Sequence, residues 1–361
     1  MRIAFDCRYV RIDHHDGISR FSARLVEHLI PLVSRNGDEL IMLISDPRQL
    51  AMLPDLPHHL VSSPTSIKER GVAKQINSIS PDIVFSPMQT IGSRGRKYRL
   101  VLTVHDLIYY AHPTPPRNLS WPIRLLWRLY HTAWWPQRFL LSRSDAVVAV
   151  SETTKQLIHE NKLTSKPVYV VHNAADSITE DIDVAVASER SQSLVYMGSF
   201  MPYKNVETLV RAAALLPDFT LHLLSKITDA DRTRLQKIAP DAQIHFHNGI
   251  SDEDYFDLLS HATALVSASK DEGFGIPLVE AMNLGTPVVI SDIGIFHEIG
   301  GNAALFADPE DPQSFAKAVR TLTNHETWNT ASEAARRQAS KFSWESSAEE
   351  LFDVLVKVAR T

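Results

Sequence analysis

Residues 264–282 read ALVSASKDEGFGIPLVEAM. The apolar run ALVSAS reads as a strand. It leads into a turn holding Gly273 and Gly275, and a helix pattern follows with Pro277 in its first turn. Proline suits that place because its missing N–H is one of the donors a helix start leaves unpaired. The two glycines let the backbone turn tightly, and N–H groups gathered at a helix start suit an anion such as a diphosphate. Glu272 on the turn and Glu280 in the first helical turns bracket the motif with seven residues between them. Glu272 is placed to accept from sugar hydroxyls. Glu280 is placed to bind the paired hydroxyls of a ribose, as acids do in dinucleotide sites. Taken alone, the stretch also reads as a plain strand–turn–helix whose acids satisfy the helix dipole.

The same alternation extends in both directions. Toward the N-terminus lie RIAFD, ELIMLIS, DIVFSP, RLVLTVHD, DAVVAVS and PVYVVHN, short runs rich in Val, Ile and Leu. Strands buried on both faces read this way. Helix patterns such as RFSARLVEHLIPLV and Glu152–Asn161 fall between them, which predicts a parallel sheet with helices on both sides. The polar, acidic stretch 174–192 interrupts the pattern and reads as a linker. The alternation then restarts with SLVYMGS, FTLHLLS, QIHFHNG, ALVSAS, PVVISD and AALFA, and a last helix runs from about Trp344 to Arg360. A chain of 361 residues has room for two domains. Open α/β sheets bind ligands beyond the carboxyl ends of their strands, so two in series place the natural site in the cleft between them.

Composition removes several classes. The single cysteine, Cys7, excludes a disulfide framework and a zinc–thiolate cluster. The opening MRIAFDCRYV lacks a secretory leader pattern, and no apolar run is long enough to span a bilayer, so a cytoplasmic location is expected. Residues 1–172 carry 22 Lys and Arg against 14 Asp and Glu, a net +8, whereas residues 173–361 carry a net −13. Such a split points to different partners for the two halves, the basic one facing an anionic surface or lipid phosphate. The basic residues are scattered and no nucleic-acid motif is present, so nucleic acid is not the expected partner. A dinucleotide oxidoreductase needs G-x-G-x-x-G after the first strand, and CRYVRIDHHDG stands there instead.

The segment around Glu272 and Glu280 resembles the Glu-x7-Glu signature of the retaining family-4 glycosyltransferases. That resemblance implies the GT-B fold, an α/β architecture of two Rossmann-like domains with parallel sheets facing across a deep cleft. It implies an acceptor-binding domain of residues 1–175 plus the C-terminal helix 344–361, a linker over 176–192, and a nucleotide-sugar-binding domain over 193–343. YMGSFMPYKN (196–205) is similar to the segment opening the family's second domain, and Lys204 matches its diphosphate-neutralising lysine. Ser199 stands where the family usually has arginine, so Arg20 or Lys270 is a candidate source of that charge. Asp6-Cys7-Arg8 followed by Gly17-Ile18-Ser19-Arg20-Phe21 resembles the opening strand and glycine loop. There Gly17 permits close approach of the donor and Arg20 reaches an anionic group. Thr103-Val104-His105-Asp106-Leu107 resembles the segment whose histidine lies beside the transferred sugar. Asp106 either orients that imidazole or touches the acceptor.

By the same resemblance His105, Lys204 and Glu272 are the expected catalytic residues. Gly17, Arg20, Ser199, Gly249, Gly273, Phe274, Gly275 and Glu280 are the expected nucleotide-sugar contacts, with the base read near Gly249 and Ile250. The closest resemblance is to GDP-mannose-dependent mannosyltransferases of surface-polysaccharide assembly. It implies a GDP-mannose donor, a glycan or lipid-linked glycan acceptor, no cofactor and no metal ion. A UDP-sugar donor is the alternative, and a non-catalytic sugar-nucleotide-binding protein is another. One further segment, 117–138, holds four of the six tryptophans. Its Arg124 and Arg128 are candidate acceptor contacts. Arginine with tryptophan suits a bilayer interface, which would place the protein peripherally on the inner membrane face. The other reading of the segment is an aromatic core helix behind the sheet.

Overall fold

The computed structural model describes residues 1–115, 120–176 and 190–361. Most of the expected linker therefore lies outside the described residues, as does Arg117. The chain divides into two compact units, Met1–Ala174 with Trp344–Thr361, and Ala175–Ser343.

The first unit is built on seven parallel strands: β1 (Arg2–Asp6), β2 (Glu39–Ile44), β3 (His58–Leu60), β4 (Ile83–Ser86), β5 (Arg99–Val104), β6 (Ala146–Ala149) and β7 (Val168–Val170). Their order is β3-β2-β1-β4-β5-β6-β7. The central strands are buried along their length because helices cover both faces. The helix Gly17–Arg35 is capped by Asp16, whose carboxylate accepts from Ser19 N at 2.9 Å. It packs beside the C-terminal helix Trp344–Ala359 through Phe21 and Trp344, ring centroids 6.2 Å apart. Ser347 Oγ ties that same helix to the His172 carbonyl at 2.7 Å.

The second unit has six parallel strands: β8 (Ser193–Tyr196), β9 (Thr220–Leu223), β10 (Ile244–Phe246), β11 (Ala264–Ser267), β12 (Val288–Ser291) and β13 (Leu305–Ala307). Their order is β10-β9-β8-β11-β12-β13. One core gathers Val206, Leu209 and Val210 of the first helix with Leu221, Leu223, Val266 and Phe315. Each fully buried aliphatic or aromatic side chain of this kind contributes about 1.5–3 kcal/mol.

In both sheets the strand order reverses between two neighbours, β1 and β4 in the first and β8 and β11 in the second. At such a point the loops leaving the two strands run in opposite directions, and a crevice opens above the carboxyl ends. In the first unit a buried ionic cluster holds this place. Arg8 Nε meets Asp6 Oδ1 at 2.7 Å, Arg8 Nη1 meets Glu69 Oε2 at 2.6 Å, and Ser86 Oγ donates to Asp6 Oδ2 at 3.0 Å. The Arg8 and Asp6 side chains are wholly buried. Charges so placed are tolerated only while each keeps its partner.

Replacing Arg8 by Met should therefore cost about 3–5 kcal/mol, because two carboxylates are left without their cation. Tryptophan fluorescence in urea reads this cleanly, since all the tryptophans except Trp328 belong to the first unit. An unshifted midpoint would show that the cluster adds nothing to stability.

Candidate functional site

The carboxyl edge of the second sheet is assembled from the loops after β8 and β11. After β8 the chain passes Gly198 and Ser199, makes a 3-10 turn over Pro202–Lys204 and enters the helix Val206–Ala214. Asn205 sits between turn and helix with φ +52°, and its side chain holds the Pro309 carbonyl at 2.6 Å. After β11 the chain passes Ser269 and Glu272 and enters the helix Ile276–Leu284. Gly275 caps that helix with φ +99°, a conformation that glycine adopts without strain. A Cβ there would also press on the Phe296 ring at 3.3 Å.

These two loops meet through charge. Lys204 Nζ lies 2.5 Å from Glu272 Oε1, and Ser269 Oγ donates to the same oxygen at 2.8 Å. Both charged side chains keep a little exposure, 16% and 13%. The pair is thus sheltered enough to hold its geometry and open enough to meet a ligand. A second backbone tie, Lys270 N to the Tyr203 carbonyl at 2.8 Å, fixes the loops together. Glu280 is buried, and Tyr255 Oη donates to its Oε2 at 2.8 Å. One carboxylate oxygen is thereby oriented from the helix Asp252–Ser260, a partner that the sequence motif does not contain.

Other expected residues take less direct positions. Ser199 is exposed, and its carbonyl accepts from Tyr196 Oη at 2.7 Å. Lys270 Nζ is 2.5 Å from Glu310 Oε1, so it already has an anion. The Phe274 ring is buried against Phe342, edge to face at 5.5 Å. Its side chain therefore serves the core and leaves backbone for a ligand. Asn248 and Gly249 form a turn with consecutive positive φ values of 58° and 104°, and Gly249 N bonds the Leu224 carbonyl at 2.9 Å.

In the first unit His105 follows β5 directly. Its Nε2 lies 2.8 Å from the Pro87 carbonyl, which can only accept, so Nε2 carries the proton and Nδ1 is the acceptor. Burial pushes the imidazole down to about 4, against a smaller raising effect from the Pro87 hydrogen bond. The ring is therefore neutral at pH 7. The edge-on Phe21 ring, 5.0 Å away, adds to its apolar setting. His105 and Asp106 line a cavity of about 240 Å³ with Tyr109, Tyr130 and His131. Asp106 Oδ1 accepts from Ile108 N at 3.1 Å and turns the chain into the next helix. Gly17 opens its helix with a negative φ, and nothing lies within 4 Å of where its Cβ would be. Open room, rather than an unusual backbone, is what glycine provides there. Arg20 lines a cavity with His15, Arg24 and Glu27.

The helix Trp121–His131 has no buried residue, which overturns its reading as a core helix. It rests on the unit through Trp127 and His131, with Trp127 packed edge-on to Tyr109 at 4.9 Å and His131 tilted against Tyr110 at 5.1 Å. Trp121, Leu125, Leu126 and Leu129 face outward, 48–76% exposed. Among the described residues no helix is long and apolar enough to cross a membrane.

The depressed His105 pKa makes a prediction about acid. The unfolded chain takes up this proton near the ordinary 6.5 and the folded chain only near 4, so the contribution is intact above 6.5 and is lost as pH falls toward 4. The wild type should lose stability more steeply than H105N across that window. Equal slopes in thermal melts between pH 4 and pH 7 would contradict a neutral, shielded imidazole.

Comparison with known proteins agrees with this architecture. The model "Glycosyltransferase Family 4" matches residues 17–177, and "Glycosyl transferases group 1" matches residues 177–341. The O-antigen chain mannosyltransferase RfbU of Salmonella typhimurium is 30% identical over 231 residues, 61% of this chain and 60% of its own length. The chain thus spans less than two thirds of that relative. O-antigen chain mannosyltransferase B of Escherichia coli is 26% identical over 69% of this chain and 68% of its own length. Among solved structures, sucrose-phosphate synthase from Thermosynechococcus elongatus superposes with a TM-score of 0.73 at 19% identity, over 99% of this chain and 98% of its own. Anabaena HepE, solved with UDP and glucose, gives 0.69 at 16% identity over 99% of this chain and all of its own. With the two family models running end to end from residue 17 to residue 341, the chain belongs to the family-4 glycosyltransferases.

Proposed function

We propose that this chain is a retaining mannosyltransferase that moves mannose from GDP-mannose to a glycan or lipid-linked glycan acceptor. The observation that carries the reading is the Lys204–Glu272 pair at the reversal of the second sheet. A diphosphate leaving group gains negative charge as the bond from its oxygen to the anomeric carbon breaks. A fixed ammonium beside that oxygen stabilises the transition state more than the ground state, which is electrostatic catalysis. Glu272 holds the ammonium in place and offers its second oxygen to sugar hydroxyls. Glu280, oriented by Tyr255, takes the ribose hydroxyls. The Gly273–Gly275 turn presents backbone to the phosphates.

In the first unit, His105 is neutral and its Nε2 proton is committed to the Pro87 carbonyl, so its Nδ1 is left to accept from a hydroxyl of a bound sugar. The acceptor hydroxyl attacks from the side the diphosphate leaves. Its proton passes to the departing phosphate oxygen, so configuration is retained and no enzymic nucleophile is consumed. The step needs no cofactor or metal ion. Mannose is favoured by the O-antigen mannosyltransferases among the relatives. The UDP and glucose held by Anabaena HepE support the alternative donor class.

K204A and E272A should each lower turnover of GDP-mannose by about 10²–10³-fold with circular dichroism unchanged. Thermal shift separates the donor classes, since a nucleotide at a hundred times its Kd adds about 2.7 kcal/mol. A shift with GDP and none with UDP supports mannose, and the converse moves the reading to UDP-sugars. Wild-type turnover in E272A would end the mechanism.

We also infer that the outward face of the helix Trp121–His131 lies on an anionic bilayer, with Arg124 and Arg128 along one edge of the apolar arc. Trp121, Leu125, Leu126 and Leu129 would enter the acyl boundary while the arginines meet lipid phosphate. The wild type should float with vesicles containing phosphatidylglycerol, and L125D/L129D should stay in solution. Equal flotation of the two would reject this face as the contact.

A further inference from the structure

Three histidines gather at the edge of the second sheet. Parallel pairing sets His222 of β9 directly beside His245 of the edge strand β10. His247 comes two residues later and falls on the same face, because side chains alternate along an extended chain. The opposite face of β9 carries Leu221 and Leu223 into the core, so the histidines face away from it. Their rings are close, with centroids 4.3 Å apart for His245 and His247, 5.3 Å for His222 and His247, and 5.6 Å for His222 and His245. One nitrogen from each ring lies within 4.8 Å of one nitrogen from each of the others. The tightest approach, His222 Nδ1 to His247 Nε2, is 3.0 Å.

We propose that His222, His245 and His247 form a binding site for a divalent transition-metal ion of the zinc class. Zinc–imidazole bonds of about 2.0–2.1 Å in a tetrahedral site put the donor nitrogens roughly 3.3 Å apart. One pair already stands near that spacing. The remaining adjustment falls on His245, the most exposed of the three. Three imidazoles with no carboxylate among them suit zinc, copper or nickel, and leave a fourth position for water. Magnesium and calcium, which require oxygen ligands, do not fit such a set.

An ion held here adds a cross-link between two strands whose side chains at this end are otherwise joined only through the histidine rings themselves. It pins the edge strand β10 to β9 immediately before the Asn248–Gly249 turn with its two positive φ values. The role is a structural clamp, independent of the transfer chemistry.

Untagged full-length protein, stripped with a chelator and titrated calorimetrically with zinc chloride, tests the site. One saturable equivalent is expected, with a rise in Tm on zinc addition. Loss of even an outer partner of a metal ligand costs roughly 10–100-fold in affinity, so H245A and H247Q should each weaken zinc at least that much. H58A, which alters an exposed histidine on β3, should leave binding unchanged. Cobalt(II) in place of zinc should give visible absorption bands of a tetrahedral centre in the wild type and lose them in H245A. Two results would overturn the proposal: no saturable equivalent in the wild type, or wild-type affinity in both H245A and H247Q.

Discussion

The reversal of strand order inside each sheet is the constraint on which the rest of the molecule depends. A right-handed crossover can lay helices on either face of a parallel sheet, and the change of face opens a crevice at one pair of strands. In this chain an ion pair stands at each crevice, Asp6–Arg8 at the end of β1 and Lys204–Glu272 across two loops, and the two pairs differ in exposure. Asp6 and Arg8 are sealed from solvent, so their energy goes into stability. Lys204 and Glu272 keep partial exposure, so their geometry is available to a ligand. The same topological event thus yields a sealed ion pair in one unit and a partly exposed one in the other.

Much of this was legible in the residues themselves. Strands buried on both faces must be apolar throughout, and β1, β2, β4, β5, β6, β8, β11 and β12 announce themselves by that rule. Strand β3, a three-residue edge piece reading HHL, has no such signature because solvent reaches it. The helix His325–Ala339, reading HETWNTASEAARRQA, was equally quiet, since few of its residues face the core. At the site, the spacing of Glu272 and Glu280 carried the chemistry. Their distant partners did not follow from spacing: Tyr255 acts on Glu280, and Pro87 sets the His105 tautomer, from elements whose approach only the fold decides. Phe274 shows the reverse case. Its place within a ligand-binding motif hid the fact that Phe342 claims its ring. The histidine cluster belongs with these, because strand register, and not sequence distance, brings His222 to His245.

Charge and apolar surface follow the same division. The first unit is basic and carries on one helix an apolar face that stays exposed among the described residues. Tyr109 and Tyr110 take up Trp127 and His131, which fixes the rotation of the helix and turns Leu125 and Leu129 outward. Aromatic contacts on one side of this helix thereby determine what its other side offers. The acidic second unit shows no comparable helix among the described residues.

The C-terminal helix Trp344–Ala359 packs on Gly17–Arg35 and so belongs to the unit that the chain began. The order of synthesis is therefore not the order of completion. As the chain leaves the ribosome, the second unit has all its strands and helices before the first has its closing helix. Until that helix arrives, Phe21 and its neighbours lack the surface that Trp344 supplies. The nascent first unit must persist with an open flank while the whole of the second is made, and that interval is when it is most exposed to aggregation and to chaperones.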